Sequence, residues 1–140
     1  MKLHDLPFPV YGDPTYCGTC PLEHVEQASF FNRLRREYPD TWGRLALHPR
    51  NEGMKEGGQF STVLKHKAEG MTAGAADIVI PARMSFVCEM KRTNPAKSSW
   101  QPGQIEYLLA AQEAGGFACV ALGAVAAWSA LEEWLETVDA

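Results

Sequence analysis

A chain of 140 residues that is 46% hydrophobic and 21% charged has the composition of one globular domain with a core of its own, which argues against a second domain. No apolar run approaches the twenty or so residues of a spanning helix, and MKLHDLPFPVYGDP lacks the long apolar centre of a secretion signal, so a cytoplasmic protein that avoids membranes is expected. A net charge of -4 speaks against a surface that grips nucleic acid all round and leaves only local basic clusters for that purpose.

Residues 1–20 are broken by prolines and glycines and are expected to form an irregular arm, with one domain over 21–140. Within the arm, Cys17 and Cys20 form a CxxC with His24 four residues on. Three candidate zinc ligands are one short of a structural site, so a turn before a helix is the preferred reading over zinc. Cys88 and Cys119 lie in apolar strand-like runs and read as reduced core residues. Pro21 suits a helix start, and Leu22, Val25, Phe30, Phe31, Leu34 and Tyr38 recur at helical spacing until Pro39 stops them. On that helix Glu23 suits the first turn, where helix polarity favours an acid. Glu26 falls between Leu22 and Phe30 on the apolar side, where a carboxylate needs a partner.

Residues 43–48, GRLALH, alternate as a strand, and PRNEGMKEGG follows as a polar loop. A short basic helix is expected over 59–68. Two strands come next, near 76–80 and 85–91, joined tightly enough to form an antiparallel hairpin. A polar loop leads to a helix after Pro102, which ends at Gly115 and Gly116 before the strand FACVAL. That strand–helix–strand unit makes the flanking strands parallel and buried. A helix carrying Val125, Trp128, Leu131, Leu135 and Val138 closes the chain.

The chemistry is concentrated in FVCEMKRT, residues 86–93. Strand alternation places Phe86, Cys88 and Met90 on one face and Val87, Glu89 and Lys91 on the other. A hairpin centred on Arg83 pairs Val79 with Val87 and sets Asp77 opposite Glu89, with β-carbons roughly 5 Å apart. Opposed, partly buried carboxylates call for a cation, and hard oxygen ligands suit Mg²⁺ or Mn²⁺ better than zinc. Lys91 could then orient an attacking water or stabilise charge on a phosphate. The plainer reading is a partly exposed Glu89–Lys91 pair on an edge strand, with Asp77 capping a turn; the register of Asp77, the GMTAGA approach to it and the awkward Glu26 favour a site.

The pieces EQ at 26–27, HPRNEG at 48–53, LKHKAEGMTAGAADIVIP at 64–81, CEMKR at 88–92 and QPGQIEYLLAAQEAGGFACVALG at 101–123 together resemble the VRR-NUC family of the PD-(D/E)xK nuclease superfamily, over most of residues 22–135. The resemblance implies an α/β, restriction-endonuclease-like core, a mixed central sheet flanked by helices in the order α-β-β-β-α-β-α. It implies that Asp77 and Glu89, with the Met90 carbonyl and Glu26, hold Mg²⁺ or Mn²⁺, that Lys91 positions the water, and that Gln104 supports the site. Arg92, Lys65, Lys67, Lys97 and Asn51 would meet DNA. Ala76 stands where the family usually has proline, a difference of backbone shape and not of chemistry. The activity implied is that of a metal-dependent DNA endonuclease acting as a homodimer on branched DNA such as four-way junctions. The alternative is a non-catalytic nucleic-acid or protein-binding module on the same fold, which would have no reason to keep Glu26, Asp77, Glu89 and Lys91 together.

Overall fold

Two parallel strands at the centre of the molecule, β3 (Phe86–Lys91) and β4 (Phe117–Leu122), organise everything else in a computed structural model that describes residues 2–49, 64–65 and 67–139. Their unbroken apolarity follows from cover on both faces: every residue of β3 is buried, and all of β4 except Phe117. The connection between them is α3 (Gln104–Glu113), as expected for a strand–helix–strand unit. On the outer side of β3 lies the antiparallel β2 (Ile78–Ile80), with Val79 opposite Val87 in the anticipated register. On the outer side of β4 lies β1 (Val10–Tyr11), parallel to it, which gives a mixed sheet of order β1-β4-β3-β2.

Helices α1 (Glu23–Glu37) and α4 (Ala124–Asp139) pack on one face of the sheet, around Phe30, Leu34, Phe86, Cys88, Met90, Leu131 and Trp134. The indole of Trp134 donates to the Met84 carbonyl at 2.7 Å, so its one polar atom is satisfied within that core. The other face, with Val87, Val120 and Leu122, is covered by α3 through Leu108 and by Phe8 of the arm. Cys88 and Cys119 are register partners, buried and free of disulfides. Their mutual hydrogen bond and burial push the Cys88 thiol well up, which keeps it a neutral core group.

Two expectations about elements are corrected. Residues 43–48 do not form a strand: α2 (Trp42–Leu45) is a single helical turn, held as Ala46 N–H donates to the Trp42 carbonyl, and only Leu47 pairs, in one bridge to Val79. The alternation misleads because Leu45 and Leu47, which ought to turn inward, are 45% and 48% exposed while Gly43 and Ala46 are buried. The arm, in turn, is not wholly irregular. Between Pro9 and Gly12 it contributes β1, whose seating is reinforced as Val120 N–H donates to the Pro9 carbonyl. A two-residue strand has no period to read. Asn51, most of the polar loop and most of the expected basic helix fall outside the described residues, although 64–65 and 67–68 are helical.

The segment that leads into β2 is tied to the start of α3 by a backbone-to-backbone contact. Gly103, at φ 90°, is the residue before α3, and Gly74, at φ 78°, lies against it so closely that a β-carbon on Gly74 would stand 2.3 Å from the Gly103 carbonyl carbon. Glycine is required there for both conformation and space. Gly74→Ala is therefore expected to lower stability by about 2–4 kcal/mol, combining a left-handed backbone with overpacking. Gly70→Ala, also at positive φ but with nothing within 4 Å, is the control and should lose about 1 kcal/mol; denaturant midpoints of the two variants check the contrast.

Candidate active site

Asp77 immediately precedes β2, and continuing the Ile78–Cys88 pairing by one residue sets it opposite Glu89. Asp77 Oδ2 accepts a hydrogen bond from Met90 N–H at 2.9 Å, which extends the hairpin ladder through a side chain. Glu89 and Lys91 point from β3 toward α3, as alternation required, and both are almost wholly buried, at 0% and 3% exposure. Such burial demands partners, and the start of α3 supplies them. Gln104 Nε2 donates to Glu89 Oε1 at 3.0 Å, while Gln104 Oε1 accepts from Lys91 Nζ at 2.9 Å and from Gln101 N–H at 2.9 Å. Two donors on the oxygen leave the amide only one orientation, so Gln104 bridges the acid and the base. Lys91 Nζ also donates to the Ser99 carbonyl at 2.7 Å, lies 3.9 Å from Glu89 Oε1, and sits 4.4 Å from the centre of the Trp100 ring.

One atom in this network is left over. Glu89 Oε2 is buried without a hydrogen-bond partner, although the strand register sets Asp77 opposite Glu89. Burial, then the charge of Asp77, hold the Glu89 carboxyl well above the usual carboxylate range; Lys91 opposes this and Glu23 adds to it. The native protein thus binds a proton that the unfolded chain releases near pH 4.5, so this group's contribution to stability is full below that pH and is lost as pH rises through the folded-state value.

The other anticipated residues separate into two sets. Glu23, Gln27, Phe31 and Arg35, spaced by four along α1, line an open groove of about 1240 Å³ whose opposite wall includes Asp77, Lys91, Lys97 and Gln104. Glu26 belongs to the neighbouring stripe and does not join Asp77 and Glu89. Its Oε2 accepts from Thr93 Oγ1 at 2.7 Å and from Ala124 N–H at 3.3 Å, which caps the start of α4. The carboxylate of α1 that acts electrostatically on Glu89 is Glu23, which also accepts from Ser98 Oγ at 3.4 Å. Its first-turn position had a sufficient explanation in helix polarity, which is why pattern alone passed over it. Arg92 lines the groove, but its Nε and Nη2 donate to the carbonyls of Pro21 and Cys20 at 3.0 and 2.9 Å. Lys65 and Lys67 are exposed. His48, which opens the HPRNEG piece, also lines the groove, and Ser99 and Trp100 are members of the site that no sequence pattern marked.

Among the described residues, no three His, Cys, Asp or Glu side chains converge, so Cys17, Cys20 and His24 form no such cluster, and the carboxylate site has two members. A pair of opposed carboxylates with an orphaned oxygen fits a hard divalent cation that keeps much of its water. Met90 adds to the fit: in a strand the carbonyl points to the same edge as the N–H, which here is the edge toward Asp77.

No family model matches the chain, and no curated protein matches it. A solved structure, a VRR_NUC domain protein, superposes with a TM-score of 0.67 over 84% of this chain and 91% of that chain, at 19% identity. The fold is VRR-NUC-like. At that identity the likeness concerns architecture alone, and the side-chain geometry described above stands on its own. In this VRR-NUC-like fold the acid–base cluster lies where β2, β3 and the first turn of α3 meet. No described helix is long and apolar enough to cross a membrane.

Replacing Glu89 by glutamine tests the electrostatics. An amide can accept from Gln104 Nε2 and donate to Asp77, as a protonated carboxyl would. Glu89→Gln is expected to stabilise the metal-free protein at pH 8 by about 1–3 kcal/mol and to flatten the decline in stability above pH 4.5, read from thermal unfolding across pH.

Proposed function

We propose that the protein is a metal-dependent deoxyribonuclease that hydrolyses phosphodiester bonds within DNA. The observation that carries the reading is the buried Glu89, set opposite Asp77, sharing a face with Lys91 and keeping one oxygen without a donor. A structural ion pair would not need a second carboxylate beside the first, since like charges opposed in a sheet destabilise it. Asp77 and Glu89, with the Met90 carbonyl, would hold Mg²⁺ or Mn²⁺, which when bound supplies Lewis-acid stabilisation of charge on the phosphate.

The chain's own residues account for the remaining tasks. Lys91, fixed by Gln104 Oε1 and the Ser99 carbonyl, lines the groove with its ammonium held in one position, where it can orient a water or bind a non-bridging phosphate oxygen. Gln104 keeps Glu89 and Lys91 at a fixed separation. The contribution of α1 comes from Glu23 in preference to Glu26, whose carboxylate serves α4. Arg35, Arg92 and Lys97 give the groove cationic groups suited to a nucleic-acid backbone despite the net charge of -4. A 140-residue chain with one such site cuts two strands most simply as a homodimer, and branched DNA, four-way junctions included, is the substrate that such a pair would serve.

Incubation of branched and linear DNA with Mg²⁺ or Mn²⁺ tests this reading. Wild type should cleave, and cut branched DNA preferentially. Lys91→Ala and Asp77→Asn should each lower the rate by about 100-fold or more, and Glu23→Gln should cost more activity than Glu26→Gln. Light scattering should give twice the 15.4 kDa mass of the chain. Absence of metal-dependent cleavage of any DNA would overturn the proposal.

A further inference from the structure

Asp77 lies just outside β2, so regular strand pairing does not hold it, yet its carboxylate has to meet Glu89 in one direction. Two hydrogen bonds grip the residue. One is on the side chain, from Met90 N–H to Oδ2. The other is on the main chain, where His48 Nδ1 lies 2.8 Å from the Asp77 carbonyl. A carbonyl only accepts, so Nδ1 carries the hydrogen whatever the charge of the ring, and the grip needs no protonation event. His48 is held in place by its predecessor: Leu47 N–H donates to the Val79 carbonyl at 2.9 Å and Val79 N–H to the Leu47 carbonyl at 3.0 Å, which pins the chain to the edge of β2 one residue away. The imidazole is solvent-exposed and lines the groove, so apolar burial does not explain its place.

We infer that His48 is a positioning residue for Asp77. Its Nδ1–H fixes the backbone from which the carboxylate projects and so sets the angle at which Asp77 meets Glu89 and any cation held between them. The effect on the cation rests on the metal-binding reading above; the grip on Asp77 does not.

The two ring nitrogens can be imitated separately. His48→Asn sets an amide N–H where Nδ1–H stands, His48→Gln sets one near Nε2, and His48→Ala removes both. In metal-free protein, exchange of the Met90 amide hydrogen, measured relative to that of Val120, should quicken roughly fivefold in the Ala and Gln variants and stay at the wild-type rate in Asn. Mn²⁺ affinity, read by calorimetry, should fall about tenfold in Ala and Gln and recover to within about threefold in Asn. Unchanged Met90 exchange in His48→Ala overturns the inference. So does rescue by Gln with failure of Asn, which would assign the work to the groove-facing nitrogen. Wild type that binds no Mn²⁺ while Met90 exchange follows the expected pattern sinks the metal reading and leaves His48 in its role. Wild type that binds Mn²⁺, with His48→Ala altering neither measurement, sinks this inference alone.

Discussion

Two carboxylates brought face to face at the end of a buried hairpin are the constraint on which this structure turns. Glu89 lies on a central strand with no solvent beside it, so everything that tempers its charge has to come from the protein. Lys91 is two residues away on the same face, and the first turn of α3 brings an amide that reaches both. That amide can arrive only if α3 begins close to the sheet, which needs Gly103 against Gly74 with no side chain between them. The loop that carries Ser99 and Trp100 then closes over the lysine. Loop conformation, helix position and strand register are thus consequences of stabilising one pair of acids.

The same constraint explains why that part of the molecule was readable from sequence. Charges in an otherwise apolar strand break a pattern, and the hairpin between Ile80 and Phe86 is too short to allow another register once Val79 and Val87 face each other. The strand–helix–strand unit was legible for a related reason, since unbroken apolarity such as that of FACVAL implies cover on both faces.

Helix α1 shows where such reading stops. Residues 23, 27, 31 and 35 form one stripe and 26, 30 and 34 the next, and periodicity says that each stripe shares a face without saying what the face meets. Phe30 and Leu34 enter the core, and Glu26, on the same stripe, meets the start of α4. Leu22, which with Phe30 suggested that Glu26 was on the packed side, is exposed. The strand expected over 43–48 failed in a similar way, for alternation across so few residues fits one helical turn equally well. HPRNEG drew attention to the segment of His48 but not to its contact: the partner is a main-chain carbonyl 29 residues away, and a carbonyl has no letter in the sequence.

Arg92 has a consequence for how the groove would receive an anion. A free arginine side chain samples many rotamers, and an ion that captures it must bear that loss of entropy. Here the guanidinium is already splinted against the carbonyls of Cys20 and Pro21, so its charge is delivered to the groove from a fixed point. The arm that precedes α1 is therefore part of the electrostatic design of the groove even though none of its acidic or basic side chains takes part: undocking it would turn a preset cation into a roaming one.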